Sequence, residues 1–230
     1  MATPLLLLHG AIGAKTQFTQ LAAALGDTFE VHTLDFEGHG AAADAGRPFR
    51  MQHFVENVVA YMDANDLAQI DIFGHSMGGY VGLLLAAQQP ERVRRVFTLG
   101  LKFAWTPEFG KREIRNMNPD KILEKVPRFA QVLEARHMGM GWVENMRKSA
   151  EMTLDLGHSH TLTPELLTTI QQPVVIGLGD RDKMTTINES VAAYQALPNG
   201  ALQIFPKTQH PLERINIAML AAAITHFFGN

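Results

Sequence analysis

The chain is predicted to fold as a doubly wound α/β protein: a mostly parallel sheet with a helical insertion, and three observations carry that expectation. Short apolar runs alternate with runs of helical period, several of the apolar runs close on a glycine-bearing loop, and the alternation stops between residues 102 and 163. Strands that are apolar throughout, rather than at every second residue, belong to a parallel sheet covered on both faces. With 230 residues, 46% hydrophobic and 19% charged, the chain is long enough for one well-buried core and short for two.

The elements follow in order. Leu5, Leu6, Leu7 and Leu8 form the first strand and run into His9-Gly10-Ala11-Ile12-Gly13, after which Phe18, Leu21, Ala22 and Leu25 fall at helical spacing. Residues 29–34 make a second strand closing on the turn Asp35-Phe36-Glu37-Gly38-His39-Gly40. Met51, Phe54, Val55, Val58 and Met62 line one stripe of an amphipathic helix. Residues 70–73 and 93–99 are further strands. Inside 102–163 the punctuation is helical: Asn118 before Pro119 reads as a cap with proline at the first helical position, and Pro127 breaks or restarts that helix. Phe129, Val132, Leu133 and Arg136 continue at helical spacing to Gly139 and Gly141, and residues 142–154 suggest a third short helix. Thr163-Pro164 caps one more, residues 173–179 and 201–205 are strands around a helix at 188–197, and an apolar helix ends the chain near Phe228. The expected organisation is a sheet core from 1–101 and 164–230, with 102–163 as a helical cap.

One stretch carries chemistry. Ile-Asp-Ile-Phe runs into Gly74-His75-Ser76-Met77-Gly78-Gly79 and then an Ala/Leu-rich helix. Glycines two residues either side of Ser76 let a strand turn into a helix within a few residues, because side chains there would meet the neighbouring backbone. Ser76 is left at the apex, with the Met77 and Gly78 N–H groups opening the helix behind it, where an anion would be favoured. A nucleophilic serine needs that geometry, together with a histidine to take its proton and a carboxylate to orient the histidine.

Composition narrows the partners. A net charge of −3 and a pI near 6.4 show no basic excess for nucleic acid or an anionic membrane surface. Cysteine is absent, which excludes disulfides and thiolate metal sites. The N-terminal apolar run lacks a basic leader and is too short for a signal segment or a membrane span, so a cytoplasmic location is expected. His158 and His160 lie two apart, but no carboxylate cluster surrounds them, and neither a metal nor a cofactor is expected. Homo-oligomerisation is left open.

With His9-Gly10, the turn at 35–40, the Gly74–Gly79 elbow, Gly179-Asp180-Arg181-Asp182 and His210 in hand, the sequence resembles the α/β-hydrolase-fold serine hydrolases. That resemblance implies a nucleophile, acid and base in the order Ser76, Asp182, His210. It implies oxyanion donors at the backbone N–H groups of Ala11 and Met77, and structural roles for His9, His39 and His75. Asp180 remains the alternative acid, since turn chemistry suits Asp at either position. The sequence departs from the family pattern at Lys183-Met184 after the acid, where proline is frequent. Gln209 stands where glycine often precedes the histidine, and Glu37 where proline is common. No leading hairpin precedes the first strand, so a small sheet is expected.

The resemblance implies acyl transfer on a small-molecule substrate: ester or thioester cleavage through an acyl-enzyme. C–C bond hydrolysis of a dicarbonyl acid, cofactor-free perhydrolysis and small-molecule binding without turnover are the alternatives. Phe103, Trp105, Met138 and Trp142 are candidate lining residues of an apolar acyl pocket; packing of the cap onto the sheet is the competing role. Lys102, Lys111, Arg112 and Arg115, interleaved with Glu108 and Glu113, are expected to form a solvated surface rather than an anion site.

Overall fold

The computed structural model describes residues 3–229. Its elements alternate as expected up to the fourth strand: β1 (Thr3–Leu8), α1 (Thr19–Leu25), β2 (Phe29–Thr33), α2 (Met51–Ala64), β3 (Ile70–His75), α3 (Met77–Gln88) and β4 (Val93–Leu99). Four helices follow, α4 (Pro107–Glu113), α5 (Pro119–Lys125), α6 (Pro127–Arg136) and α7 (Trp142–His158), and then α8 (Pro164–Leu167), β5 (Val174–Gly179), α9 (Ile187–Ala196), β6 (Gly200–Phe205) and α10 (Ile217–Phe228). The six strands form one sheet in the order β2-β1-β3-β4-β5-β6, every neighbouring pair parallel.

Alternate residues of each central strand serve opposite cores, which is why the strands read as unbroken apolar runs. Leu5, Leu7, Phe73, Phe97, Leu99 and Phe205 pack with α1 and α10 on one face. Leu6, Leu8, Ile72, Val96 and Ile176 pack with α2, α3 and α9 on the other.

The segment between β4 and β5 carries a small core of its own, Ile122, Ala130, Leu133, Trp142 and Met146, with Ile12 of the loop after β1 leaning on it. Its caps follow the sequence signals: Asn118 accepts from the Lys121 N–H and Thr163 from the Leu166 N–H, each with proline next in line. α7 runs four residues beyond the expected end at 154. A β-carbon on Gly157 would lie 2.8 Å from the Thr106 carbonyl oxygen, and one on Gly110 3.0 Å from that of Thr153. Gly157 therefore marks close approach of α4 and α7, not a helix stop.

Both ends of the segment are pinned to the sheet domain. At its start Glu189, on α9, accepts from Lys102 Nζ at 2.6 Å and from the Ala104 N–H at 2.8 Å. At its end the Tyr80 hydroxyl, on α3, accepts from the N–H groups of Thr161 and Leu162 at 2.7 and 3.0 Å. Lys102 is thus buried in an ion pair, contrary to the solvated role expected of it; its partner lies 87 residues away in sequence.

Candidate active site

The strand order places the site. β2 lies on one side of β1 and β3 on the other, so the loops leaving β1 and β3 diverge and open a crevice at the carboxyl ends of those strands. Leu8 and Gly74 are in register there. The residues that follow are the His9–Gly13 loop and Ser76.

Ser76 sits at φ 51°, ψ −115°, a conformation that costs a non-glycine residue on the order of 1–3 kcal/mol and persists only where its surroundings impose it. Here they do. The Ser76 N–H donates to the Leu99 carbonyl at 2.8 Å, and the Ser76 carbonyl accepts from Gly79 and Tyr80 at 2.9 and 3.2 Å to open α3. The flanking glycines are steric necessities: a β-carbon on Gly74 would lie 2.4 Å from the Gly78 backbone, and one on Gly78 2.2 Å from the Leu8 carbonyl oxygen. Across the crevice, a β-carbon on Gly10 would come within 3.2 Å of the Ser76 β-carbon, so the loop bearing Ala11 lies directly against the serine.

His210, in the loop after β6, donates from Nδ1 to Asp182 Oδ2 at 2.7 Å. The Asp182 side chain is 1% exposed, and its other oxygen accepts from the N–H groups of Met184 and Thr185 at 2.7 and 2.9 Å. Burial alone would raise this carboxyl, but the hydrogen bond and charge of His210, with the two backbone donors, hold it below its usual range. Asp180 is exposed and accepts from the Thr208 N–H at 3.1 Å instead. It braces the loop that leads to His210.

The neighbouring histidines are buried and neutral. His75 donates from Nε2 to the His210 carbonyl at 2.9 Å, joining the serine turn to the histidine loop; burial and the nearby His210 lower its pKa to about 4. His9 accepts from the Phe36 N–H through Nε2 at 3.2 Å and donates from Nδ1 to the Gly10 carbonyl at 2.8 Å, with burial lowering its pKa to about 3. Burial also keeps His39 well below the ordinary imidazole value.

The four residues expected to line an acyl pocket are dispersed. Phe103 is buried and Trp105 half-buried in the main core, the Trp105 Nε1–H donating to the Lys102 carbonyl. Trp142 fills the core of the helical segment, and Met138 is 77% exposed. An open cleft of about 670 Å³ lies between α1, α6 and the stretch after His210, lined by Gln17, Val132, Arg136, Leu212, Glu213 and Ile215 among others. None of the four expected residues borders it. Gln17, His137 and Glu213 were not singled out by sequence, and Arg136 was read only as part of a helical stripe; their bonds join residues from 77 to 196 positions apart, and no local pattern announces them as site residues. Among the described residues no cluster of His, Asp or Glu could hold a metal ion, and His158, at the end of α7, is exposed.

The family model described as alpha/beta hydrolase fold matches residues 3–212. The chain belongs to the alpha/beta hydrolase fold family. It is 38% identical over 91 residues to the dihydrolipoyllysine-residue acetyltransferase component of the acetoin cleaving system of Pseudomonas putida, covering 40% of this chain and 25% of that protein. To the pyrrolizixenacetamide deacetylase of Xenorhabdus hominickii it is 33% identical over 97 residues, 42% of this chain and 36% of that one. The matches thus span about a quarter to a third of those relatives. A thermophilic esterase from Thermogutta terrifontis superposes with a TM-score of 0.80 over 100% of this chain and 90% of the other at 20% identity, a likeness of fold.

Two departures of this hydrolase-fold chain from the family pattern have a physical reading. Glu37 is buried and accepts from Arg47 Nη2 at 2.7 Å and Asn57 Nδ2 at 3.0 Å, which anchors the turn by an ion pair where a proline would stiffen it. At 184 a proline would have no N–H to give Asp182, whereas Met184 supplies one.

Proposed function

We propose that this chain is a serine hydrolase cleaving an ester or thioester of a small to medium, largely apolar acyl group, with Ser76 as nucleophile, His210 as base and Asp182 as its orienting acid. The observation that supports it most directly is the 2.7 Å bond from His210 Nδ1 to a buried Asp182 carboxylate. With its proton held at Nδ1, the imidazole presents Nε2 free to accept.

In this reading Ser76 Oγ attacks the acyl carbonyl while His210 Nε2 takes its proton, and the carbonyl electron pair moves onto oxygen. The N–H groups of Ala11 and Met77 receive that oxyanion; removing one such donor costs roughly 3–4 kcal/mol of transition-state stabilisation in the best-measured case. Collapse expels the alcohol or thiol, protonated by His210. Water, deprotonated by the same imidazole, then releases the acid and restores Ser76. The helices between β4 and β5 act as a cap that limits acyl size. The cleft beside Glu213 adjoins the stretch that follows His210, with Ser76, Ala11, Asp182 and His210 outside its lining, and the names of the two relatives, an acetyltransferase component and a deacetylase, lie on the side of acyl transfer.

A fluorophosphonate probe should label Ser76, and a chain-length series of p-nitrophenyl and acyl-CoA esters should reveal turnover that Ser76→Ala loses by about 10⁵–10⁶-fold. Labelling elsewhere, or turnover that survives the substitution, refutes the proposal. Saturable ligand binding with ester turnover at background would make the chain a binding protein of the same fold.

A further inference from the structure

We propose that Arg136 and His137, at the end of α6, are positioning residues that aim the Ala11 N–H at the oxyanion. The inference rests on the serine-hydrolase reading above and adds to it a pair of residues more than 120 positions from the loop they act on.

The path runs through two peptide planes. Residues 10–13 form a tight turn in which the Gly13 N–H donates to the Gly10 carbonyl at 3.1 Å. The Gly10 carbonyl and the Ala11 N–H belong to one planar peptide and point in opposite directions, so whatever fixes the carbonyl fixes the N–H. The Gly13 N–H shares its own plane with the Ile12 carbonyl. That carbonyl accepts twice from the helical segment, from Arg136 Nη1 at 3.1 Å and from His137 Nε2 at 2.9 Å. Donation into the Ile12 carbonyl polarises its peptide, strengthens the Gly13 N–H as a donor, and passes to the Ala11 N–H through the Gly10 carbonyl.

Each donor is itself held. His137 Nδ1 accepts from the Gly40 N–H at 3.1 Å, which leaves the ring proton on Nε2, facing Ile12. Arg136 is clasped by Glu213 at 2.7 Å, three residues past His210, and the same carboxylate oxygen accepts from Gln17 Nε2 at 2.8 Å. Gln17 Oε1 in turn accepts from the Ala14 N–H at 3.0 Å. The turn needs such support because Ile12 has φ 51°, a left-handed conformation disfavoured for a β-branched residue. Its side chain rests on the core of the helical segment. A segment that only docked on the sheet would have no reason to place two donors on the one carbonyl of a strained residue adjoining Ala11.

The test compares wild type with His137→Leu, His137→Gln and Arg136→Met, with rates normalised to the fraction of Ser76 titrated by fluorophosphonate so that unfolded protein does not count. His137→Gln is the rescue variant, since a side-chain amide can both donate to Ile12 and accept from Gly40. Two quantities are read: kcat and KM on a p-nitrophenyl ester, and the affinity of an aryl trifluoromethyl ketone, which takes up Ser76 Oγ to give a bound oxyanion. His137→Leu and Arg136→Met should lower kcat on the order of tenfold to a hundredfold with KM within about twofold, as expected for a donor displaced by a fraction of an ångström. Ketone affinity should fall in parallel, and His137→Gln should recover most of it. Should His137→Leu not fold, Arg136→Met tests the same carbonyl. Unchanged kcat and ketone affinity, a loss confined to KM, or no recovery in His137→Gln would overturn the assignment. A wild type that neither turns over esters nor is labelled would sink the serine-hydrolase reading itself, and this inference with it; an active wild type with indifferent variants would sink this inference alone.

Discussion

At the scale of single residues, Asp182 and Asp180 offer the sharpest contrast: two carboxylates in one turn, one buried against an imidazole and one exposed beneath a backbone N–H. Asp182→Asn should reduce kcat by roughly 10⁴-fold, because an amide leaves the imidazole in the wrong tautomer, whereas Asp180→Asn should cost less than about tenfold. Steady-state rates on one ester decide it, and the reverse ranking would make Asp180 the orienting acid. Gly78→Ala should lower stability by several kcal/mol or prevent folding, since its β-carbon would sit 2.2 Å from the Leu8 carbonyl oxygen; a urea midpoint within error of wild type would contradict the contact. Gly74 and Gly78 were legible in sequence because strand, turn and helix are local, and a Gly-x-Ser-x-Gly spacing records the crowding directly, whereas Asp182 came only with the family resemblance and Asp180 stood beside it as the alternative. Lys102 was not. Its neighbours in sequence suggested a solvated cation, while the group that neutralises it comes from α9.

At the scale of elements, caps were readable where a cap residue stood before proline, at Asn118 and Thr163, yet the same signature at Thr106-Pro107, where Thr106 accepts from the Phe109 N–H, passed unmarked. α7 passes its expected end at 154 and runs to His158, and Gly157 inside it admits the close approach of α4 where glycine elsewhere stops a helix. The helical segment makes two predictions. Trp142→Ala empties the centre of its core and should cost about 3–5 kcal/mol, and the preferred acyl length should change with it; Met138→Ala, on an exposed side chain, should alter neither. The p-nitrophenyl ester series and urea titration check both, and a fixed length profile across Trp105, Trp142 and Val132 substitutions would leave the segment without a part in specificity. Tyr80→Phe deprives the buried Leu162 N–H and the part-buried Thr161 N–H of their shared acceptor and should cost roughly 1–3 kcal/mol, most of it from Leu162, again read from the urea midpoint.

At the scale of the whole molecule, the crevice between β1 and β3 follows from strand order alone, and a parallel α/β sheet was legible from apolar runs; the partners that cross it, such as Arg136 to Ile12, depend on how remote elements meet and leave no periodic trace. Four buried histidines tie the carboxyl edge of the sheet together, and His9, His39, His75 and His137 all have lowered pKa values from burial. Unfolded, each would bind a proton near pH 6.5; folded, each stays neutral. The unfolded state therefore takes up more protons below that value, so stability is fully present above pH 7 and falls as pH drops below 6.5; for His75, lowered to about 4, and His9, lowered to about 3, the loss approaches about 1.4 kcal/mol per pH unit per histidine down to those values. Urea midpoints at pH 7.5, 6 and 5 should fall steeply, and a flat profile would show that these rings accept protons without unfolding. The two pins on the helical segment carry a different consequence. Glu189 and the Tyr80 hydroxyl hold its two ends on helices of the sheet domain, one of them the helix that begins at Ser76, so the backbone where the span departs and returns is fixed independently of the helices between. A graft of foreign helices between residues 105 and 160 would begin and finish at anchored backbone, and lengthening it adds only the slow logarithmic cost of a longer loop, but it must carry equivalents of the Arg136 and His137 donors to the Ile12 carbonyl if the Ala11 N–H is to keep its aim.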